Sequence, residues 1–179
     1  FSQHRKIHFN FVDFSFWRYN FFASMSSVTT ILLVSIDILL IGYLMSDMEM
    51  VTAFKYVSIV PFSILFLSRA FMAADFVIFT EKISDKTFIY DYIKNYILLF
   101  SIISMAFLTV ILFFGKSILA IFNPSYISHY STLVVLTIGV AGILILRGIF
   151  GNLLSSIGKS QISFIIILTA IIFNFILNY

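Results

Sequence analysis

Long, nearly continuous apolar blocks are the feature of this sequence that most limits how it can fold. Each block reaches about 20 residues or more, the length that an α-helix needs to cross the hydrocarbon layer of a membrane. Hydrophobic residues make up 61% of the chain and charged residues 11%, whereas a typical soluble domain has about 45–50% and 25%. The sequence therefore predicts an all-α, polytopic transmembrane helix bundle and argues against a soluble globular domain.

We expect about five membrane-spanning helices in a single bundle that takes up the whole chain. Their predicted ranges are residues 16–45, 51–79, 88–114, 129–157 and 161–179. Asn123 and Pro124 predict a turn, which places a short outer connection at residues 115–128. Pro61 lies inside the second span, where a membrane helix tolerates proline with a kink if neighbouring groups satisfy the freed carbonyl.

Lysine and arginine are distributed unevenly between the two sides of the predicted bundle. One side holds residues 1–15, a basic and aromatic lead that suits an anionic membrane surface. This side carries Arg5, Lys6, Arg18, Lys82, Lys86, Lys94 and Lys159, against Lys55 and Lys116 on the other. Because positive charge in short loops favours the cytoplasm, we expect a cytoplasmic N-terminus and a multi-pass location in the cell inner (plasma) membrane.

Arg69 and Arg147 lie far inside the second and fourth predicted spans, both of which run toward the cytoplasm. Each is about ten residues, or roughly 15 Å, from the predicted cytoplasmic end of its helix. An arginine at a helix centre costs about 2.5–3.5 kcal/mol of insertion energy. One interpretation is that each guanidinium snorkels or binds carbonyls of a neighbouring helix. The other is that both bind an anionic substrate, since guanidinium binds phosphate bidentately and stays charged at any depth.

Asp37 and Lys55 lie near the outer ends of the first and second predicted spans. Asp37 shares a helical face with Ser26 and Thr30, because these residues lie within about 40° of one another at 100° per residue. Lys55, on the antiparallel neighbour, is within reach of Asp37. Since ions inside a membrane usually pair, we predict an Asp37–Lys55 pair that acts as an outer gate or as a structural clasp.

Few other features of the sequence point to chemistry. No HExxH, GxSxG, Walker or GxGxxG pattern is present, and the chain has no Cys. We therefore expect no enzymatic activity, no metal, no cofactor and no nucleic-acid partner. Small residues let membrane helices approach closely, and we assign this packing role to four glycines of the fourth span, Gly139, Gly142, Gly148 and Gly151.

Several sequence stretches resemble one family. The segment 151–164, GNLLSSIGKSQISF, and residues 174–179, NFILNY, resemble the helix exit and following helix of the polysaccharide-exporter branch of the multidrug/oligosaccharidyl-lipid/polysaccharide (MOP) flippase superfamily. Residues 35–43 look like the first helix of one half of such a transporter, and residues 115–126 look like its outer turn. Because residue 1 is not Met and the last apolar block has no closing polar flank, we expect a fragment, resembling helices seven to eleven of a MATE-like transporter.

The resemblance implies a function in transport. Proteins of this branch are similar to Wzx-type O-antigen flippases, which move undecaprenyl-diphosphate-linked oligosaccharides across the bacterial inner membrane by alternating access. The implied partners are a polyprenyl-diphosphate-linked glycan and membrane lipid, with H⁺ or Na⁺ as the candidate coupling ion, and the full-length protein is expected to be a monomer. Arg69 and Arg147 would then bind phosphate.

Two rival functions stay open at this point. A cation-coupled multidrug exporter of the same superfamily would prefer acidic and aromatic cavity residues, and here arginines outnumber buried acids. A membrane O-antigen polymerase or ligase would need large outer loops to hold the acceptor sugar, whereas the predicted outer connections are short. A purely structural membrane subunit is the remaining alternative.

Overall fold

The computed structural model describes residues 14–45 and 48–178, and these ranges contain helices and turns but no strand. The α-helices are α1 (Phe14–Met45), α2 (Met48–Ser63), α3 (Leu65–Glu81), α4 (Lys86–Phe122), α5 (Tyr130–Gly142), α6 (Gly148–Ser156) and α7 (Ser160–Asn178). A 3₁₀ segment, Pro124–His129, precedes α5, and a π-helical turn, Ile143–Arg147, joins α5 to α6. The predicted all-α architecture is confirmed.

Four stretches are long and apolar enough to cross a membrane: Met48–Asp75, Lys86–Phe122, Pro124–Ser156 and Ser160–Leu177. α1 supplies a fifth if its parts Phe16–Leu33 and Ser35–Tyr43, which are bent by 46°, act as one span. The predicted polytopic bundle is therefore confirmed. Most of the predicted basic lead, residues 1–13, lies outside the described residues.

Local chemistry sets several helix ends. The Asp85 carboxylate accepts hydrogen bonds from the backbone N–H groups of Thr87 and Phe88, at 3.0 and 3.1 Å, and so caps the start of α4. Gly158 has a φ of 73°, a conformation that favours glycine and lets the chain reverse between α6 and α7. Pro61 has no N–H to donate, and α2 gives way to α3 at Ile64, three residues later.

The third predicted span, residues 88–114, is too short. α4 continues through Gly115 to Phe122 and takes up about half of the predicted outer connection. Gly115 lies within the helix and is a packing position: an added Cβ would lie 2.9 Å from the Tyr130 ring. The predicted turn follows at Asn123, whose side chain accepts a hydrogen bond from the Ser125 N–H at 3.0 Å.

α1 and α7 pack side by side and run in the same direction. Three contacts at successive levels show this: the Arg18 and Gln161 side chains lie 3.2 Å apart, the Ser26 and Ser163 hydroxyls 3.3 Å apart, and the Asp37 and Asn174 side chains 3.0 Å apart. Parallel packing requires an odd number of intervening crossings. The chain crosses by α2–α3, by α4 and by the α5–α6 rod, which is defined as α5, the π turn and α6 together.

A hydrogen-bonded junction joins α3, α4 and the α5–α6 rod in the middle of the bundle. The buried Tyr96 hydroxyl of α4 lies 2.6 Å from the Ser68 hydroxyl of α3 and donates to the Leu144 carbonyl, at 3.3 Å, within the π turn. A Cβ added at Gly148 would overlap both Tyr96 and Ser68. Gly148 thus has the close-packing role that the sequence predicts for it.

We predict that Gly148→Ala destabilises the bundle. The new methyl group would force apart three helices, and such overpacking typically costs about 1–3 kcal/mol. Gly142→Ala is the matched control, because it adds the same methyl group to the same rod where no atom lies within 4 Å. Thermal unfolding in detergent should show a lowered midpoint for Gly148→Ala alone. Equal midpoints for the two variants would contradict the junction.

Candidate functional site: a cationic cavity

A cavity of about 700 Å³ lies between α1, α3, the α5–α6 rod and α7. α4 does not line it, because α4 packs on the opposite side of the rod through Tyr96 and Phe100. The cavity brings together both arginines that the sequence singles out, Arg69 from α3 and Arg147 from the rod. Among the residues that the structure describes, its lining includes five hydroxyl side chains and no carboxylate; the hydroxyl residues are Ser26, Thr30, Ser68, Ser155 and Ser163.

Arg147 is held in the cavity by a hydroxyl group of α1. Its half-buried guanidinium donates a hydrogen bond to the Thr30 hydroxyl. The Thr30 hydroxyl donates its own hydrogen to the Ser26 carbonyl at 2.8 Å, so it can only accept from Arg147. This bond uses one of the five N–H donors of guanidinium, and it differs from the predicted alternative in which the arginine binds carbonyls of a neighbouring helix.

Arg69 lies on the open side of the same cavity. The residue is exposed, and among the described residues the structure records no hydrogen-bond acceptor for it. Arg69 and Arg147 line the same cavity, so the two cations repel each other. Ions inside a membrane are normally neutralised by a partner. With no carboxylate in the described lining, the pair presents an uncompensated positive charge that an anion would neutralise.

The π turn is what aims Arg147 into the cavity. Five lining residues occur at every fourth position of the rod: Gly139, Ile143, Arg147, Gly151 and Ser155. In a regular α-helix a step of four residues turns the side chain by about 40°, so four steps would carry Ser155 about 160° away from Gly139. One wide π turn takes up an extra residue and removes roughly 100° of this drift. The part of the rod after the π turn, with Gly151 and Ser155, therefore faces the same cavity as the part before it, with Gly139.

Three of the four glycines do not have the packing role predicted for them. A Cβ added at Gly139, Gly142 or Gly151 would meet no atom within 4 Å. These residues line the cavity, so the missing side chains widen it instead of admitting a neighbouring helix. The prediction is wrong for these three and holds for Gly148.

The structure does not bring Asp37 and Lys55 together. The Asp37 carboxylate accepts a hydrogen bond from the Asn174 side chain at 3.0 Å, whereas Lys55 is exposed on α2 with no ion pair recorded in the described part of the chain. The predicted ion pair is therefore replaced by a contact between α1 and α7. The cause is the packing of α1, which lies along α7 at the level of Ser26 as well as at Asp37.

Asn174 is the partner that the sequence reasoning missed, although a signal for it exists. Eleven residues separate Ser26 from Asp37, and eleven also separate Ser163 from Asn174. Eleven residues make about three helical turns, which return to the same face. Two parallel helices with this matched polar spacing can pair at both levels, and both pairs are present.

No protein-family model, curated protein or solved structure matches this chain. Membership of the flippase superfamily therefore stays a prediction from sequence motifs. Within the described residues, no group of three or more His, Cys, Asp or Glu side chains could hold a metal ion. The cavity itself is the basis for a functional proposal.

We predict that Thr30→Val weakens the hold on Arg147 and destabilises the protein. A hydrogen bond to a charged group contributes about 1.5–3 kcal/mol. Thr29→Val is the matched control, since Thr29 is adjacent, bonds only to the Met25 carbonyl and does not line the cavity. Thr30→Val should lower the free energy of unfolding more than Thr29→Val does. This difference should disappear when both substitutions are made in the Arg147→Met variant. If the difference persists in that background, Thr30 does not act through Arg147.

Proposed function

We propose that this chain belongs to a flippase that moves a polyprenyl-diphosphate-linked oligosaccharide across the bacterial inner membrane. The observation that supports this most directly is a single cavity lined by two arginines and no carboxylate among the described residues. A diphosphate has two anionic groups with oxygens suited to the planar donors of guanidinium. Two arginines that line one space can therefore hold it, and the bound anion neutralises the charge that they place inside the membrane.

The size of the cavity fits part of such a substrate. Typical ligand pockets measure about 300–1,000 Å³, and this cavity has about 700 Å³. That space admits a diphosphate with the groups next to it, but it does not admit a complete oligosaccharide repeat unit and a long polyprenyl chain. The distal parts of the substrate must then remain outside, in water and in lipid respectively.

The depth of the arginines fits uptake from the lysine-rich side. Along the helix axes, Arg147 lies about 14 Å from Ser156 at the end of α6, and Arg69 lies about 18 Å from Glu81 at the end of α3. Both ends belong to the side that carries most of the loop lysines and that we assign to the cytoplasm. A lipid headgroup from the cytoplasmic leaflet would reach this level through the open side at Arg69.

The rival functions fit the cavity less well. A multidrug exporter for cationic compounds would need an anionic group in its binding site, and the described lining has none. A polymerase or ligase would need an extended outer region to bind the acceptor sugar, but the described connection between α4 and α5 is only the seven residues 123–129. Alternating access, with the cavity exposed to each side in turn, needs neither feature.

We predict that Arg69→Gln and Arg147→Gln each weaken the binding of pyrophosphate by about 10- to 100-fold, since a hydrogen bond to a charged group contributes about 1.5–3 kcal/mol. Binding is measured on purified protein in nanodiscs. Each variant should also fail to complement a bacterial strain that lacks its own flippase for lipid-linked oligosaccharides. Lys159→Gln removes an exposed cation from the α6–α7 link and serves as the control.

Arg69→Lys and Arg147→Lys separate geometry from charge, because lysine keeps the charge but not the bidentate donors. We expect intermediate affinity for both. If the glutamine variants are made at normal levels, bind pyrophosphate like the parent and complement the strain, phosphate binding by these arginines is wrong.

A further inference from the structure

The lining of the cavity changes in polarity along the helix axes, with the arginines between two different ends. The end near the α6–α7 link contains three serines, Ser26, Ser155 and Ser163, and is called the hydroxyl end. The opposite end contains only apolar residues and is called the apolar end; these are Leu33, Leu65, Gly139, Gly142, Ile143 and Ala170. Helical rise places Ser26 about 6 Å from Thr30, the partner of Arg147, and Ser155 about 12 Å from Arg147 on one side. Gly139 lies about 12 Å from Arg147 on the other side.

The hydroxyl end offers both donors and acceptors. The Ser155 hydroxyl donates to the Gly151 carbonyl at 3.0 Å, so it remains an acceptor for a ligand. The Ser26 and Ser163 hydroxyls lie 3.3 Å apart, and only one hydrogen can occupy the space between them. The other hydroxyl hydrogen is left for a ligand. A sugar ring has hydroxyls that donate and accept, and it matches this end.

The apolar end offers open space without polar partners. Gly139 and Gly142 leave room where side chains would otherwise stand, and no lining side chain at this level can form a hydrogen bond. A sugar placed here would lose its hydrogen bonds to water without replacement, which is unfavourable. An alkyl chain has no such loss and matches this end.

On the basis of the proposed function, we propose that the cavity binds its ligand in one fixed orientation. The first sugar occupies the hydroxyl end, the diphosphate lies between Arg69 and Arg147, and the first isoprene unit occupies the apolar end. The order sugar, diphosphate, isoprene is that of the lipid-linked glycan itself. It also matches a lipid in the cytoplasmic leaflet, whose headgroup points to the α6–α7 link and whose chain points to the membrane centre.

The structure also provides a way out for the rest of the lipid chain. α1 packs along α7, and α3 packs on α6, but α3 does not pack extensively on α1 or α7. The chain can leave the apolar end between these helices and remain in the bilayer. The site therefore takes an amphiphilic anion, and a small inorganic phosphate fills only its centre.

Affinities for three water-soluble diphosphates test this orientation on the purified chain in nanodiscs. Methyl diphosphate occupies the arginine level alone, isopentenyl diphosphate adds a five-carbon chain of the same class as the lipid, and a hexose 1-diphosphate adds a sugar. Each fully buried CH₂ favours binding by about fourfold, and we expect isopentenyl diphosphate to bind at least about tenfold more tightly than methyl diphosphate.

Two sets of variants should separate the two ends. Gly139→Leu and Gly142→Leu fill the apolar end and should remove the gain from the five-carbon chain while leaving methyl diphosphate affinity unchanged. Ile138→Phe adds bulk at an exposed neighbour and is the control. Ser26→Ala combined with Ser163→Ala should lower only the affinity for the hexose 1-diphosphate, by about tenfold. Ser27→Ala, at an exposed residue of the same helix, is the control.

The outcomes distinguish the two proposals. Unchanged methyl diphosphate binding shows that each variant is folded. If the parent chain binds no diphosphate, the proposed function fails. If methyl diphosphate binds but the five-carbon chain adds nothing, or if the glycine variants reduce all three affinities equally, the phosphate site stands and the fixed orientation is wrong.

Discussion

The contact of the Tyr96 hydroxyl with the Leu144 carbonyl is the interaction on which the rest of this structure depends. Inside a membrane, each backbone carbonyl needs a partner within the protein, because lipid offers none. A π turn disturbs the regular pattern of backbone hydrogen bonds, and Tyr96 supplies a donor at that point. Ser68 lies against the same hydroxyl, so a single junction fixes α3, α4 and the α5–α6 rod relative to one another.

The direction of both arginines follows from this junction. Arg147 is the last residue of the π turn, and Arg69 follows Ser68 directly in the chain. The same contact that stabilises the wide turn thus places one cation on each side of a shared space. Gly148 is needed for the close approach, whereas Gly139, Gly142 and Gly151 keep the space open. Glycines of the same rod therefore serve both close packing and cavity formation.

The sequence was sufficient to predict the bundle and the common level of the arginines. Apolar length determines where helices can cross a membrane, and charge in short loops suggests their direction. Both are properties of contiguous residues. The cavity follows partly from the same reasoning, because two arginines at one depth on helices running the same way are already near each other.

The remaining features depend on residues far apart in the chain. The π turn is satisfied by a tyrosine 48 residues away, and Asp37 finds Asn174 at a separation of 137 residues. α1 bends by 46° between its parts Phe16–Leu33 and Ser35–Tyr43, and regular helical geometry does not predict such a bend. Whether a glycine packs or lines open space is set by which helix stands opposite it. Gly115 shows the same limit: it packs against Tyr130 inside a helix that continues to Phe122, whereas the sequence predicts the helix to end before it.

A direct measurement of the distance from bound phosphate to guanidinium tests the central claim that one anion bridges Arg69 and Arg147. The chain has four arginines, and replacing Arg5 and Arg18 by Lys leaves these two as the only sites for ¹⁵N-arginine labelling. Solid-state NMR with bound pyrophosphate should show ³¹P–¹⁵N dipolar coupling for both residues, at about 4 Å or less, as hydrogen-bonded guanidinium requires. Coupling that is absent from both residues, or present at only one of them, would contradict a shared diphosphate site.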